Sequence, residues 1–155
     1  MSIDSRQVAA GVLAAVPFAR TLGIEFVEVA PEAQGGVRAV VRLPDSSAHH
    51  NHIGGPHAGA MFTLGETASG AVVMAAFGEL LDRAVPLAVR AEIAYRKVAL
   101  GPVLATARLG RPAPEVVAEL EDGRRPEFPV EVEIATEDGT PTGAMTVTWT
   151  LRPNR

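Results

Sequence analysis

The strongest pattern in the chain is strict alternation of apolar and polar positions. Val37, Ala39, Val41 and Leu43 alternate with Arg38, Val40 and Arg42, the period of a strand with one face buried. Four later runs repeat it. Leu87, Val89, Ala91, Ile93 and Tyr95 oppose Arg90, Glu92 and Arg96, and Val103, Ala105, Ala107 and Leu109 oppose Thr106 and Arg108. Phe128, Val130, Val132 and Ile134 oppose Glu131 and Glu133, and Met145, Val147, Trp149 and Leu151 oppose Thr146, Thr148 and Thr150. Turn residues at Gly35-Gly36, Gly101-Pro102 and Glu137-Asp138-Gly139 punctuate these runs. A further strand is expected at 24–29, β-rich but less regular. Alternation of this kind predicts antiparallel pairing.

Elsewhere the period changes. Asp4-Ser5 followed by Val8, Val12 and Val16 predicts a short surface helix ending before Pro17. Residues 44–56 read as a polar loop, and 82–86 as a connection. Residues 58–81 show no alternation and one charge before Glu79, so a helix buried nearly all round is expected, with its end beginning at Gly78. Residues 111–126 are proline-rich and fit either an extended hairpin tip or a short helical insertion. One apolar helix among about six strands has an economical packing, in which the sheet wraps the helix. The expected class is α+β, in a single domain over 1–155.

Composition narrows the chemistry. With 155 residues, 47% hydrophobic and 21% charged, the chain is of globular type and one-domain size. It has no cysteine, which removes disulfides, zinc-thiolate sites, iron–sulfur clusters and cysteine nucleophiles. A net charge of −4 offers no footprint for nucleic acid or anionic lipid. Thirteen of its fourteen cations are Arg, which fits the composition of a genome better than a function. The run 8–16 resembles a signal-peptide core, but Asp4 sits where a positive region belongs. The stretch 58–77 has nearly the length of a membrane span, but Glu66 would lie near mid-bilayer. A cytoplasmic protein without membrane or nucleic-acid partners is expected.

All four histidines fall between 49 and 57, in His49-His50-Asn51-His52-Ile53-Gly54-Gly55-Pro56-His57. A metal would use His50, His52 and His57 with Glu66, but the following segment is helical rather than the strands such sites favour, and none is expected. His50-Asn51-His52 has the letters of a nuclease motif without a phosphate footprint. A solvated loop with no function is a further reading. The last starts from the helix terminus: after Pro56, the N–H groups of Ala58, Gly59 and Ala60 lack helical partners and carry partial positive charge, a ready site for a developing oxyanion. Small residues at 58 and 59 allow close approach to that backbone. Glu66 is the one charge inside the apolar helix. It is either satisfied by a nearby Arg or backbone group, or kept for chemistry.

Residues 51–66, Asn51-His52-Ile53-Gly54-Gly55-Pro56-His57-Ala58-Gly59-Ala60-Met61-Phe62-Thr63-Leu64-Gly65-Glu66, resemble the signature of hotdog-fold thioesterases of the phenylacetate-degradation type. The catalytic acid there stands fifteen residues after an Asn, the interval from Asn51 to Glu66. Residues 91–102 are similar to that family's strand after the helix. Ala58 replaces the first Gly of the family's His-Gly-Gly and Glu66 replaces its usual Asp, departures found in a less characterised branch.

The resemblance implies a hotdog fold and hydrolysis of an acyl-coenzyme A or acyl-carrier-protein thioester without metal or nucleotide cofactor. In that scheme the Ala58 N–H polarises the carbonyl, and Glu66 acts as general base or nucleophile. Asn51 orients water or the carboxylate, His57 positions the carbonyl, Gly59 borders the substrate, and Thr67 is a weaker candidate for a supporting hydrogen bond. Ala58 and Glu66, eight residues apart, are separated by ~12 Å along one helix. One thioester cannot meet both, so a homodimer with composite sites is expected, with a dimer of dimers as its extension. The alternative is a non-catalytic acyl-binding or interaction module. A hydratase is disfavoured, since no separate Asp/His pair is evident on the loop.

Overall fold

The computed structural model describes residues 2–155. The Asp4 carboxylate accepts the Arg6 and Gln7 amides and so caps α1, Ser5–Ala15. α1 ends before Pro17 as expected, with Val16 out of the helical state, but a second, unexpected helix starts directly after it. Proline is well suited to the first helical position, and a short α2, Pro17–Thr21, begins there.

Six strands follow among the described residues: β1 Glu25–Glu32, β2 Gly36–Leu43, β3 Ala84–Tyr95, β4 Val103–Leu109, β5 Glu127–Thr136 and β6 Pro141–Pro153. They form one sheet in the order β1-β2-β4-β5-β6-β3, antiparallel at every junction. The expected inward sets are buried in β2 (Val37, Ala39, Val41, Leu43), β5 (Phe128, Val130, Val132, Ile134) and β6 (Met145, Val147, Trp149, Leu151). Pro31 in β1 is tolerated because that strand lies at an edge.

β3 departs from its pattern. It starts at Ala84, absorbing most of the expected connection, and forms the other edge. A bulge between Ala88 and Arg90 makes Val89 the extra residue and leaves it exposed. Tyr95, expected inside, is half-exposed.

The proline-rich stretch resolves as a helical insertion, α4, Ala113–Glu121, with proline in its first turn. Arg111 braces it with a 2.8 Å ion pair to Glu119.

The long helix α3 spans Ala58–Phe77, then tightens into a short 3-10 turn at Gly78–Leu80. By length and composition it could cross a membrane, but here most of it is buried against the sheet. Gly65 permits the close contact: a Cβ there would stand 2.7 Å from Met145 Sδ. Burial all round is not what the structure shows. Gly59, Phe62, Thr63, Glu66, Gly70 and Met74 form a stripe at helical spacing that the sheet leaves partly open.

Candidate functional site

The site grows from the loop before α3. Asn51 Oδ1 accepts the amides of Ile53 (3.0 Å) and Gly55 (3.1 Å), and Nδ2 donates to the Pro56 carbonyl (3.3 Å). Three of the four hydrogen bonds a carboxamide can make are thus spent on its own loop. Asn51 shapes the entry to α3 and has little capacity left for water or a carboxylate. The Asn51 amide donates to the Gly55 carbonyl at 2.8 Å, and Gly54 turns the chain at φ 76°. Gly55 lies so close to Ala99 that a Cβ would come within 2.3 Å of its carbonyl oxygen.

His57 is the N-cap of α3, its Nδ1 accepting the Gly59 amide at 2.8 Å. The Gly59 N–H is therefore already paired. The Ala58 and Ala60 N–H groups have no hydrogen-bond partner among the described residues, leaving them as the open donors at the positive helix end. Tyr95, which alternation alone placed in the core, donates its hydroxyl to the Ala58 carbonyl at 2.8 Å. It ties the end of β3 to the first turn of α3, a contact with no local sequence signal.

Two separate open clefts flank this turn. One, of about 440 Å³, is bordered by Asn51, Ile53, Ala58, Tyr95, Arg96 and Lys97. The other, of about 480 Å³, lies between α2 and α3 and is bordered by Phe18, Leu22, His50, His57, Ala60 and Thr63. Asp45 and His50 pair at 2.6 Å on the loop, a pair the spacing alone did not reveal. Among the described residues, no three His, Asp or Glu side chains converge on a metal position.

Glu66 and Thr67 stand two turns further along α3. The Glu66 carboxyl has no hydrogen bond or ion pair among the described residues, and burial pushes its pKa above the ordinary carboxylate value. Neither cleft reaches it. Thr67 is buried with its hydroxyl unpartnered among the described residues. Below Glu66, the Ser69 hydroxyl donates to the Glu66 carbonyl (2.7 Å) and accepts the Trp149 indole N–H (3.1 Å). This link from β6 to the Glu66 turn joins residues 80 apart in the chain. Asn51, His57, Ala58 and Gly59 are thus gathered at one end of α3, and Glu66 with Thr67 lies ~12 Å away along the axis.

Comparisons with known proteins bear on this arrangement. Among curated proteins none matches the sequence. Among solved structures, a Pseudomonas aeruginosa protein of unknown function called a "probable thioesterase" is similar over 99% of both chains, with 24% identity and a TM-score of 0.82. A thioesterase family protein from Silicibacter pomeroyi is 21% identical, with a TM-score of 0.73, over 97% of this chain and 100% of its own. The PaaI protein of the E. coli phenylacetic acid degradation operon is 18% identical, with a TM-score of 0.68, over 96% and 92%. These likenesses establish the fold. The model of a family described as a domain of unknown function, DUF4442, matches residues 4–151. The chain belongs to the DUF4442 family and has the hotdog fold that its structural neighbours share.

Proposed function

We propose that the protein hydrolyses acyl thioesters, carried on coenzyme A or a carrier protein, at two composite sites of a homodimer. The observation that carries this reading is Glu66, a carboxyl on the open stripe of an apolar helix whose far end presents N–H groups, both without hydrogen-bond partners among the described residues. Without metal or nucleotide, the Ala58 N–H binds the thioester carbonyl oxygen. Glu66 takes a proton from water as its oxygen bonds to the carbonyl carbon. The negative charge that develops on oxygen faces the helix terminus. Collapse breaks the C–S bond, and the thiolate leaves and takes up a proton. A nucleophilic Glu66 would instead form an anhydride that water opens. A carboxyl raised by burial is a better base near neutrality than an ordinary one.

The ~12 Å between Ala58 and Glu66 is what makes two subunits necessary. Antiparallel packing of two α3 helices through their open stripes sets Glu66 of each against the N-terminus of the other. Arg96 and Lys97 form no ion pair among the described residues and border the cleft beside Ala58, where a phosphate-bearing carrier arm would enter. The resemblance of the fold to proteins called thioesterases supports the reaction class.

Thiol release is measured on short, medium, long and aromatic acyl thioesters of coenzyme A and carrier protein. Glu66→Gln is expected to lose at least ~10²-fold. Mixing inactive Asn51→Ala and Glu66→Gln chains should restore one intact site per heterodimer, with up to half of its activity. Full activity in a monomer, or no complementation despite proven exchange, refutes the shared site. Binding of acyl ligands without turnover would favour the binding-module reading.

A further inference from the structure

We infer that the surface around the mouth of the cleft beside Ala58 docks a carrier protein, so that the acyl group arrives on a protein-borne arm rather than on coenzyme A. This deepens the thioesterase reading and rests on it for the direction in which the arm enters.

Two loops build this surface. In the loop after β3, residues 96–102, the Arg96 and Lys97 amides both donate to the Thr142 carbonyl, at 2.8 and 3.0 Å. Ala99 is buried, and its neighbours on either side, Val98 and Leu100, are 67% and 61% exposed. Ile53, on the loop before α3, is 51% exposed, and Tyr95 is half-exposed. The loops touch: a Cβ on Gly55 would meet the Ala99 carbonyl oxygen at 2.3 Å and Leu100 Cδ2 at 3.3 Å. Ile53, Tyr95, Arg96, Lys97 and Val98 border the same cleft as Ala58. A single exposed apolar side chain is ordinary, but several on adjoining loops at a cleft mouth mark an interaction surface. The shared Thr142 carbonyl and the buried Ala99 fix the loop in advance, so little ordering entropy is lost when a partner docks.

Charge decides which partner fits. The chain carries a net charge of −4, yet among the described residues no Asp or Glu borders this cleft, and neither Arg96 nor Lys97 forms an ion pair. A carrier protein presents an acidic surface, with apolar side chains beside the serine to which its arm is joined by a phosphodiester. Arg96 and Lys97 complement the acids, and Ile53, Val98 and Leu100 complement the apolar side chains. Coenzyme A would bring a pyrophosphate and a ribose phosphate to the same mouth. Phosphates are held by cations and N–H donors, which the side chains of Ile53, Val98 and Leu100 do not supply. An anionic membrane also joins cations to apolar side chains, but it has no arm to fill the cleft behind them.

The test reads binding and needs no turnover. Titration calorimetry on the full chain compares three probes that share an uncleavable S-hexyl thioether. They are S-hexyl-phosphopantetheine, S-hexyl-coenzyme A, and an acyl carrier protein of fatty acid synthesis bearing S-hexyl-phosphopantetheine. The carrier protein is expected to bind ~10-fold more tightly than the free arm, and coenzyme A within about 3-fold of the free arm. Val98→Asp and Leu100→Asp should each cut the carrier-to-arm ratio by at least ~5-fold, since each removes an apolar anchor and sets an acid against an acidic partner. Lys97→Glu should lower it too, and in the wild type it should shrink as salt rises from ~0.05 to ~0.5 M. Circular dichroism checks each fold, and Val98→Asp decides the matter if Leu100→Asp does not fold. No preference for the carrier protein over the free arm, a preference that survives all three substitutions, or tighter binding of coenzyme A than of the carrier protein overturns the inference. A changed subunit number in Val98→Asp would also overturn it, making the surface an interface between copies. So would sedimentation with phosphatidylglycerol vesicles that Val98→Asp abolishes, which would make it a membrane contact. Selective carrier binding by a protein that cleaves no thioester would keep this inference and reject the hydrolase reading. Thioester hydrolysis without any carrier preference in binding would do the reverse, so the two failures are distinguishable.

Discussion

Replacing Gly55 by Ala is expected to damage both stability and activity, while the same change at Gly54 costs stability alone. A Cβ at Gly55 would stand 2.3 Å from the Ala99 carbonyl oxygen and 3.3 Å from Leu100 Cδ2. Carbon and carbonyl oxygen rarely approach closer than ~3.3 Å, so about an ångström of overlap must be relieved. The obstacle is backbone, which no rotamer change removes. Overpacking of this kind costs about 3 kcal/mol, or ~6–12 °C in Tm for a chain of this size. Gly54 poses a different problem. Its φ is +76° and none of the described residues lies within 4 Å of an added Cβ, so Ala there pays only the left-handed penalty of ~1–2 kcal/mol. Asn, which visits that region more readily, pays less. The expected order of stability is wild type, Gly54→Asn, Gly54→Ala, Gly55→Ala, read by thermal denaturation. Ala58 lies three residues beyond Gly55, so separating the loop from Ala99 displaces the proposed oxyanion donor. A shift near 1 Å can cost ~10²-fold, and thiol release by Gly55→Ala should fall on that scale. A Gly55→Ala protein that melts within about 2 °C of wild type, or a costlier Gly54→Ala, would refute the steric account.

Three further expectations follow from the same geometry. Burial raises the Glu66 pKa, so the folded state holds its proton at a pH where the unfolded chain has lost it, and stability falls as pH rises from the ordinary glutamate range through the raised value. Glu66→Gln should therefore melt above wild type near about pH 8 and match it near about pH 4, while wild-type activity rises over the same interval; a lower melting point at the alkaline end would show that the carboxylate has a stabilising partner. Tyr95→Phe loses the bond to the Ala58 carbonyl and should cost ~1 kcal/mol, with kcat/KM reduced; equal melting and unchanged kinetics would show that the contact positions nothing. Gly65→Ala brings its Cβ to 2.7 Å from Met145 Sδ, but a thioether can move where a carbonyl cannot, so the net cost in thermal denaturation should stay near ~1 kcal/mol, and a loss matching that of Gly55→Ala would contradict this.

Periodicity alone determined most of the architecture. Residues at i and i+2 of a strand share one face whatever surrounds them, so the inward sets of β2, β5 and β6 could be read directly, as could the long helix that ignores this period. The Asn51–Glu66 segment marked the candidate site for a related reason, since a helix start and a lone acid on the same helix are local facts. Tertiary structure decided what those local facts become. β3 is an edge strand with a bulge at Val89, which turns part of its apolar face outward. The proline-rich 111–126 stretch could be hairpin or helix until its packing selected α4. Asn51 and His57 were visible as polar residues near a helix start, but a polar side chain takes whichever partner folding brings nearest. Here those partners are the loop amides and the Gly59 N–H. Tyr95 on Ala58, His50 on Asp45 and Ser69 under Trp149 have no periodic signature, because each depends on where one side chain meets a group on another turn or strand. The separation of Ala58 from Glu66 is the opposite case. The rise of a helix is the same in any protein, so that distance, and the need for a second subunit in the proposed reaction, follows from counting residues.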